Sequence, residues 1–132
     1  MTVVYLTEDQ VLELHRRAIE LFGGTPGIRD RGGVASAVAQ PQATSGGQDL
    51  HETIADKAAT LGFMIVAAQH FADGNKRTGH AAMETFLLLN GYELMPSYEA
   101  QQHIIEGVAA GSMPREQFTE WVAASIEPRD PI

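Results

Sequence analysis

The stretch Gln69-His70-Phe71-Ala72-Asp73-Gly74-Asn75-Lys76-Arg77-Thr78-Gly79-His80 decides how the chain is read. Before it, from Ala58 to Ala68, only Thr60 interrupts apolar or small residues. After it come Ala81, Ala82, Met83, Phe86, Leu87, Leu88 and Leu89. Two segments that are apolar around most of their girth predict two buried helices. Asp73-Gly74 between them is a turn signal, and a loop between two core helices is held by packing on both sides.

The rest of the chain follows the same helical period. Thr7-Glu8-Asp9-Gln10 has a capping-box pattern, and Val11, Leu14, Ala18 and Leu21 continue it to Gly23-Gly24. Thr25 to Gly32 reads as a loop, and Gly33 to Gln40 as a short helix stopped by Pro41. Gln42 to Asp49 lacks any period and reads as a surface loop. The first central helix is expected over Leu50 to Gln69, and the second over Asn75 to Leu89, stopped by Asn90-Gly91. Tyr92 to Met95 suits a short extended piece. Ser97 to Ala110 is expected as a helix with Ile104, Ile105 and Val108 on one face. Ser112 and Pro114 open a last helix that Pro128 closes. The prediction is one all-α domain over residues 1–132, with two buried central helices flanking the Asp73-Gly74 loop.

A net charge of −8 argues against electrostatic capture of nucleic acid or of anionic membranes. No apolar stretch is long enough to span a bilayer. The absence of cysteine excludes disulfides and thiolate metal sites. With no secretory pattern at the N-terminus, the expectation is a soluble cytoplasmic protein. In so acidic a chain, local cations carry information. There are two lysines, Lys57 and Lys76, and Lys76 is followed by Arg77.

Cations in the first turn of a helix oppose the helix dipole, which makes a purely solvated role for Lys76 and Arg77 uncomfortable. A polyanion reverses the argument. The amides of Gly74 to Arg77 lie at a helix start without intrahelical acceptors, and such a terminus binds phosphate. Lys76 adds a point charge and Arg77 a planar fork. Asn75 can hold the loop or touch a phosphate oxygen. Asp73 offers a hard oxygen to Mg²⁺, which takes one or two carboxylates together with phosphate oxygens. The stretch therefore reads as a cradle for a magnesium-bound polyphosphate such as ATP.

The same residues resemble a known family. "HFADGNKRTGH" with the following "AAMETFLLLNGYEL" is similar to the core signature of the death-on-curing (Doc) branch of the Fic superfamily. "YLTEDQVLELH" and "GIRDRGGVASAVAQPQAT" fit the same branch more softly. The resemblance implies an all-helical Fic fold whose loop between the central helices binds nucleotide phosphates and Mg²⁺. It implies a toxin that phosphorylates a hydroxyl of elongation factor Tu and is covered by a small antitoxin. Asp73 matches the metal-ligand acid, Gly74 and Asn75 the phosphate-loop pair, Arg77 the motif arginine and Phe71 the buried aromatic. Lys76 stands where adenylyltransferring relatives have glycine. His80 stands where they carry a second arginine. Both differences favour phosphoryl over adenylyl transfer.

The departure is at Gln69. Counting from Phe71 or from Asn75, it occupies the family's general-base histidine position. An amide cannot accept a proton near neutral pH. His70, on a continuing helix, would point about 100° away and substitute only at a frayed end. The chain is thus expected to be a slowed or disabled Doc-type enzyme, or else a silent Fic-fold module that binds nucleotide or a partner; adenylyl transfer or a plain helical interaction domain stands behind these.

Other residues carry weaker expectations. His80 and Glu84 share a face with Arg77, as an ordinary helical pair or as an aid to it. His15, His51 and His103 are expected at the surface. Arg29-Asp30-Arg31 suits a solvated turn, or a contact with target or antitoxin. Ser112 to Gln117 faintly resembles the inhibitory Ser/Thr-x-x-x-Glu motif of self-inhibited Fic proteins. By position, Gln42 to Leu50 would be the target-docking flap.

Overall fold

A computed structural model describes residues 2–132. In chain order its elements are α1 (Glu8–Phe22), α2 (Arg31–Ala39), a 3-10 turn (Gln40–Gln42), β1 (Thr44–Ser45), β2 (Gln48–Asp49), α3 (Ile54–Ala68), α4 (Asn75–Leu89), β3 (Tyr92–Leu94), α5 (Tyr98–Ala110), α6 (Arg115–Ser125) and β4 (Ile126–Pro128). The domain is all-helical apart from two small hairpin-like pairs. No helix among the described residues is long and apolar enough to cross a membrane.

Local signals set most boundaries. The capping box at Thr7 forms as expected: Gln10 N donates to Thr7 Oγ1 and Thr7 N donates to Gln10 Oε1. α5 starts on Ser97, whose hydroxyl accepts from Ala100 N, and ends on Gly111 in the left-handed region. Pro41 sits within the 3-10 turn that follows α2.

Three expectations need correction. α3 begins at Ile54 rather than Leu50, because Thr53 caps it by accepting from Asp56 N. Gln42 to Asp49 is not an irregular loop: Thr44 pairs with Asp49 and Ser45 with Gln48, antiparallel. Gly46 and Gly47, both at positive φ, make the two-residue turn that matches strand twist. The last helix ends at Ser125, and Ile126–Pro128 pairs antiparallel with Tyr92–Leu94 instead of continuing it.

The core lies where α3 crosses α4 and is closed by α1, α2 and α6. Leu61, Ile65 and Val66 meet Ala82, Met83, Phe86 and Leu87, while Val11, Val34, Phe118 and Val122 seal the sides. The two central helices approach closely at Gly62 and Gly79. A Cβ at Gly79 would overlap Val66 Cγ2 and lie 3.1 Å from the Gly62 carbonyl oxygen. Gly79→Leu is therefore expected to lower unfolding free energy by about 1–3 kcal/mol through overpacking, read as an earlier midpoint in urea denaturation.

Lys57 ties the β1–β2 hairpin to the body. Its side chain is almost wholly buried on α3, yet Nζ donates to Asp49 Oδ2 at 3.1 Å and to the Pro41 carbonyl at 3.2 Å. Nζ also lies 5.6 Å from the centroid of the Tyr5 ring. Burial acts most strongly on this ammonium and weakens its hold on the proton. Hydrogen bonding and attraction to Asp49 and Tyr5 together outweigh it, and Lys57 titrates above the ordinary 10.5. A raised lysine pKa contributes stability that is complete below the unfolded value and lost as pH climbs through the folded one. Unfolding free energy is expected to fall above about pH 10.4, and to fall less in Lys57→Met; a pH series of denaturation curves checks it.

Candidate active site

The loop between α3 and α4 is fixed from several directions. Asn75 clamps it: Phe71 N donates to Asn75 Oδ1 and Asn75 Nδ2 donates to the Phe71 carbonyl, both at 3.0 Å. The segment after α1 lies along it as a strap. Arg29 N and Asp30 N donate to the His70 carbonyl at 2.7 and 2.9 Å, and Ala72 N donates to the Gly27 carbonyl at 3.1 Å. Arg29, Asp30 and Arg31 are exposed, as expected of a solvated turn, while the backbone of Arg29 and Asp30 is tied to the loop. Asp30 also caps α2 by accepting from Gly33 N, and Arg31 Nε donates to Glu8 Oε1.

His15 pins the loop from α1. It is buried, not at the surface as expected, and it stacks on Phe71 with ring centroids 3.9 Å apart. Its Nε2 lies 2.9 Å from the Asp73 carbonyl, to which it donates in the Nε2–H tautomer. Gly74 follows at φ 77°, where a Cβ would lie 3.1 Å from Ile19 Cδ1.

The cavity so formed has a volume of about 530 Å³. Gln69, Asp73, Gly74, Asn75, Lys76 and Arg77 line one side. Ala18 and Gly23 of the α1 end, with Glu106, Ala109 and Ala110 of α5, line the other. The predicted phosphate-loop residues are thus brought together around one concavity. The helix start carries no side-chain cap. Gly74 N is taken by Asp73 Oδ1 at 3.1 Å, which leaves the amides of Asn75, Lys76 and Arg77 as the orphan donors. Asn75's side chain is committed to Phe71, so its amide rather than its carboxamide faces any anion.

Arg77 is exposed, and its guanidinium lies 3.7 Å from the centroid of the Phe22 ring. Such stacking orients the fork without neutralising it. Asp73 is exposed; its Oδ2 accepts from Thr25 N at 3.1 Å, which fixes the carboxylate beside the cavity. Among the described residues no group of three or more His, Cys, Asp or Glu side chains could hold a metal alone. One oriented carboxylate beside the orphan amides of α4 fits the way Mg²⁺ is held between a protein carboxylate, phosphate oxygens and water.

A profile of the Fic/DOC family matches residues 5–87, which contain the whole of this loop. The chain belongs to the Fic/DOC family. Over 98 residues it is 40% identical to Toxin Doc of Mycolicibacterium smegmatis, covering 74% of this chain and 73% of that protein. Over 110 residues it is 27% identical to Protein kinase doc of Escherichia phage P1, covering 83% of this chain and 85% of the relative.

Within this Fic/DOC chain, Gln69 has a distinctive conformation. It caps α3 at φ 52° and ψ 54°, the one non-glycine residue at positive φ among those described. A left-handed residue with a Cβ costs roughly 1–2 kcal/mol, and such strain gathers at functional positions. Gln69→Gly is expected to raise unfolding free energy by about 1 kcal/mol, measured by denaturation.

His70 does not enter the cavity. Because α3 ends at Ala68, the chain turns at Gln69 and carries His70 to the other side. There its ring packs on Gly33, and Nδ1 lies 3.6 Å from Asp30 Oδ2. His80 is buried on α4, with Nε2 2.7 Å from Gln101 Oε1 and its ring stacked on Tyr98. Gln101 Nε2 donates to Pro96, so its oxygen faces His80, which donates from Nε2. His80 and Glu84 make no hydrogen bond, contrary to the helical pair expected.

His51 is also mostly covered, with Nδ1 3.2 Å from Asp56 Oδ1. His103 is exposed as expected. Ser112 donates to the Gly107 carbonyl within the α5–α6 turn, and Glu116 does not line the cavity. Glu106, His15 and Phe22 were not expected beside the site. The only available signal was His15's helical register with Val11 and Ala18.

Proposed function

We propose that the chain is a Doc-type toxin that transfers the terminal phosphoryl group of ATP to a protein hydroxyl, at a rate held down by Gln69. The observation that carries this reading is the single cavity bounded by Lys76, Arg77, the orphan amides of α4 and a strained Gln69. Elongation factor Tu is the protein substrate suggested by the family resemblance.

In this reaction the bond between the terminal phosphorus and its bridging oxygen breaks, and a bond to the target hydroxyl oxygen forms. The nucleoside diphosphate leaves, and the hydroxyl proton passes to water because Gln69 cannot take it. Lys76, Arg77 and the α4 amides hold the charge on the transferring group. Asp73 would hold Mg²⁺ against the phosphates, and the ion would supply further charge neutralisation there. Gln69 orients the hydroxyl by hydrogen bonding.

His80 supports phosphoryl over adenylyl transfer, since at the second-arginine position it is buried, with its Nε2 taken by Gln101 and its ring stacked on Tyr98, and it does not line the main cavity. A small antitoxin is the partner suggested by the Doc relatives. The exposed side chains of Leu21, Phe22 and Tyr98, gathered beside Arg77, give it an apolar seat at the flank of the cavity.

Incubation with ATP labelled at the terminal phosphate, Mg²⁺ and elongation factor Tu tests the reading. Weak labelling by the natural chain and strong labelling by Gln69→His support it. Labelling by neither protein, with labelling at the adenylate also absent, contradicts it and leaves a silent binding module.

A further inference from the structure

We infer that a second, open groove on the outer face of α3 is the docking subsite for an extended acidic segment of the protein substrate, with Arg115 as its specificity-determining side chain. This rests on the reading of the chain as an enzyme that modifies a protein. The groove has a volume of about 640 Å³ and shares no lining residue with the nucleotide cavity. Phe63, Met64, Ala67 and Ala68 form its apolar floor. Gly33, Ser36 and Gln40 line it from the α2 side, with His70 and Arg115.

Its position suits a substrate. Ala68 and His70 flank Gln69 in the chain, so one end of the groove lies against the Gln69 backbone, while the cavity that Gln69 lines opens on the other side of the turn. Gln40 lies 3.3 Å from His51 Nε2 just below the β1–β2 hairpin, so the groove extends toward that hairpin. A segment lying along α3 would therefore pass beside the hairpin and present a serine or threonine to the cavity.

The charges select the chemistry of the segment. His70 is already answered by Asp30 at 3.6 Å. Arg115 is not: among the described residues no carboxylate lies within ion-pair distance of it. Its Nη2 donates to Thr60 Oγ1 at 2.9 Å, which fixes the guanidinium and leaves its other donors for a ligand. A half-buried, oriented and unanswered guanidinium over an apolar floor, in a chain of net charge −8, fits an incoming carboxylate. The segment is thus an acidic side chain on an otherwise apolar strand, a few residues from the modified hydroxyl.

Fluorescence anisotropy with the full chain tests this without nucleotide or turnover. The probes are short threonine-containing peptides, alike except that one carries glutamates where the other carries lysines. The glutamate peptide is expected to bind about tenfold more tightly despite the acidic protein, with the preference weakened by salt. Arg115→Gln and Ser36→Glu are each expected to abolish that preference; Ser36 is an exposed rim position, so its variant serves if Arg115→Gln fails to fold. Equal binding of the two peptides, binding of neither, or a preference that survives both substitutions overturns the inference. In a Gln69→His background, the same substitutions are expected to raise KM for the protein substrate about tenfold while KM for ATP stays constant. An unchanged protein KM also overturns it. If Gln69→His transfers nothing yet the glutamate preference holds, the enzymatic reading falls and the docking subsite stands.

Discussion

Gln69→His is expected to increase phosphoryl transfer to the protein hydroxyl by about 10²–10⁴-fold, the usual contribution of a positioned general base. The substitution asks little of the backbone. Histidine is enriched among residues that adopt left-handed conformations, so it can keep the φ of 52° that turns the chain at the end of α3. Neither neighbouring histidine supplies the function. His70 is turned toward Asp30 and Gly33, and His15 is buried behind Phe71 with Nε2 on the Asp73 carbonyl. The variant should also acquire a pH dependence that the natural chain lacks. Its rate should rise as the new imidazole loses its proton, near the ordinary value of about 6.5. A variant no faster than the natural chain, or a natural chain that already shows that titration, would mean that proton removal does not limit the reaction.

Arg77→Ala, made in the Gln69→His background, is expected to reduce transfer by about 10²–10³-fold, the loss seen when one preorganised donor to a developing charge is removed. Arg77→Lys should restore only part of it, since an ammonium cannot make the bidentate contact that the fork makes. The effect should leave stability nearly unchanged. Arg77 is exposed and makes no ion pair among the described residues, and its main contact is the Phe22 ring. That separates it from Asn75, whose removal would free two backbone groups of Phe71 and unsettle the loop itself. Transfer within about threefold of the background would place the transferring phosphate away from α4; the comparison requires only kcat/KM for the three proteins.

The central pair of helices was legible because its signal was long. α4 spans Asn75–Leu89 as expected, for the apolar run and the Asn90-Gly91 stop fix both ends. The gathering of Gly74, Lys76 and Arg77 at one concavity was legible for a related reason: glycine, helix start and cations fall within one helical turn. The hairpin was not. Thr44, Ser45, Gln48 and Asp49 are all exposed, so no face alternates, and the pair is held instead by Lys57 reaching out of the core. β4 was hidden because Ile126 continues the apolar period of α6 although the backbone leaves the helix there.

The histidines show the same limit at the site. His15 and His80 gain their meaning from Phe71, Asp73, Gln101 and Tyr98, partners that one-dimensional spacing does not reveal. The expectation that Gln69 stands at the family's histidine position came from register alone, and its left-handed backbone was not legible there. That backbone explains why His70 leaves the cavity: the helix ends before it, and the turn carries its side chain to α2.

Isothermal titration calorimetry of ATP into the natural chain, with and without Mg²⁺, tests the phosphate seat most directly because it needs neither turnover nor target. The prediction is saturable one-to-one binding that Mg²⁺ strengthens, that Asp73→Ala makes insensitive to Mg²⁺, and that the Lys76→Ala/Arg77→Ala double variant loses. No heat of binding from the natural chain, or equal affinity in the double variant, would contradict the account.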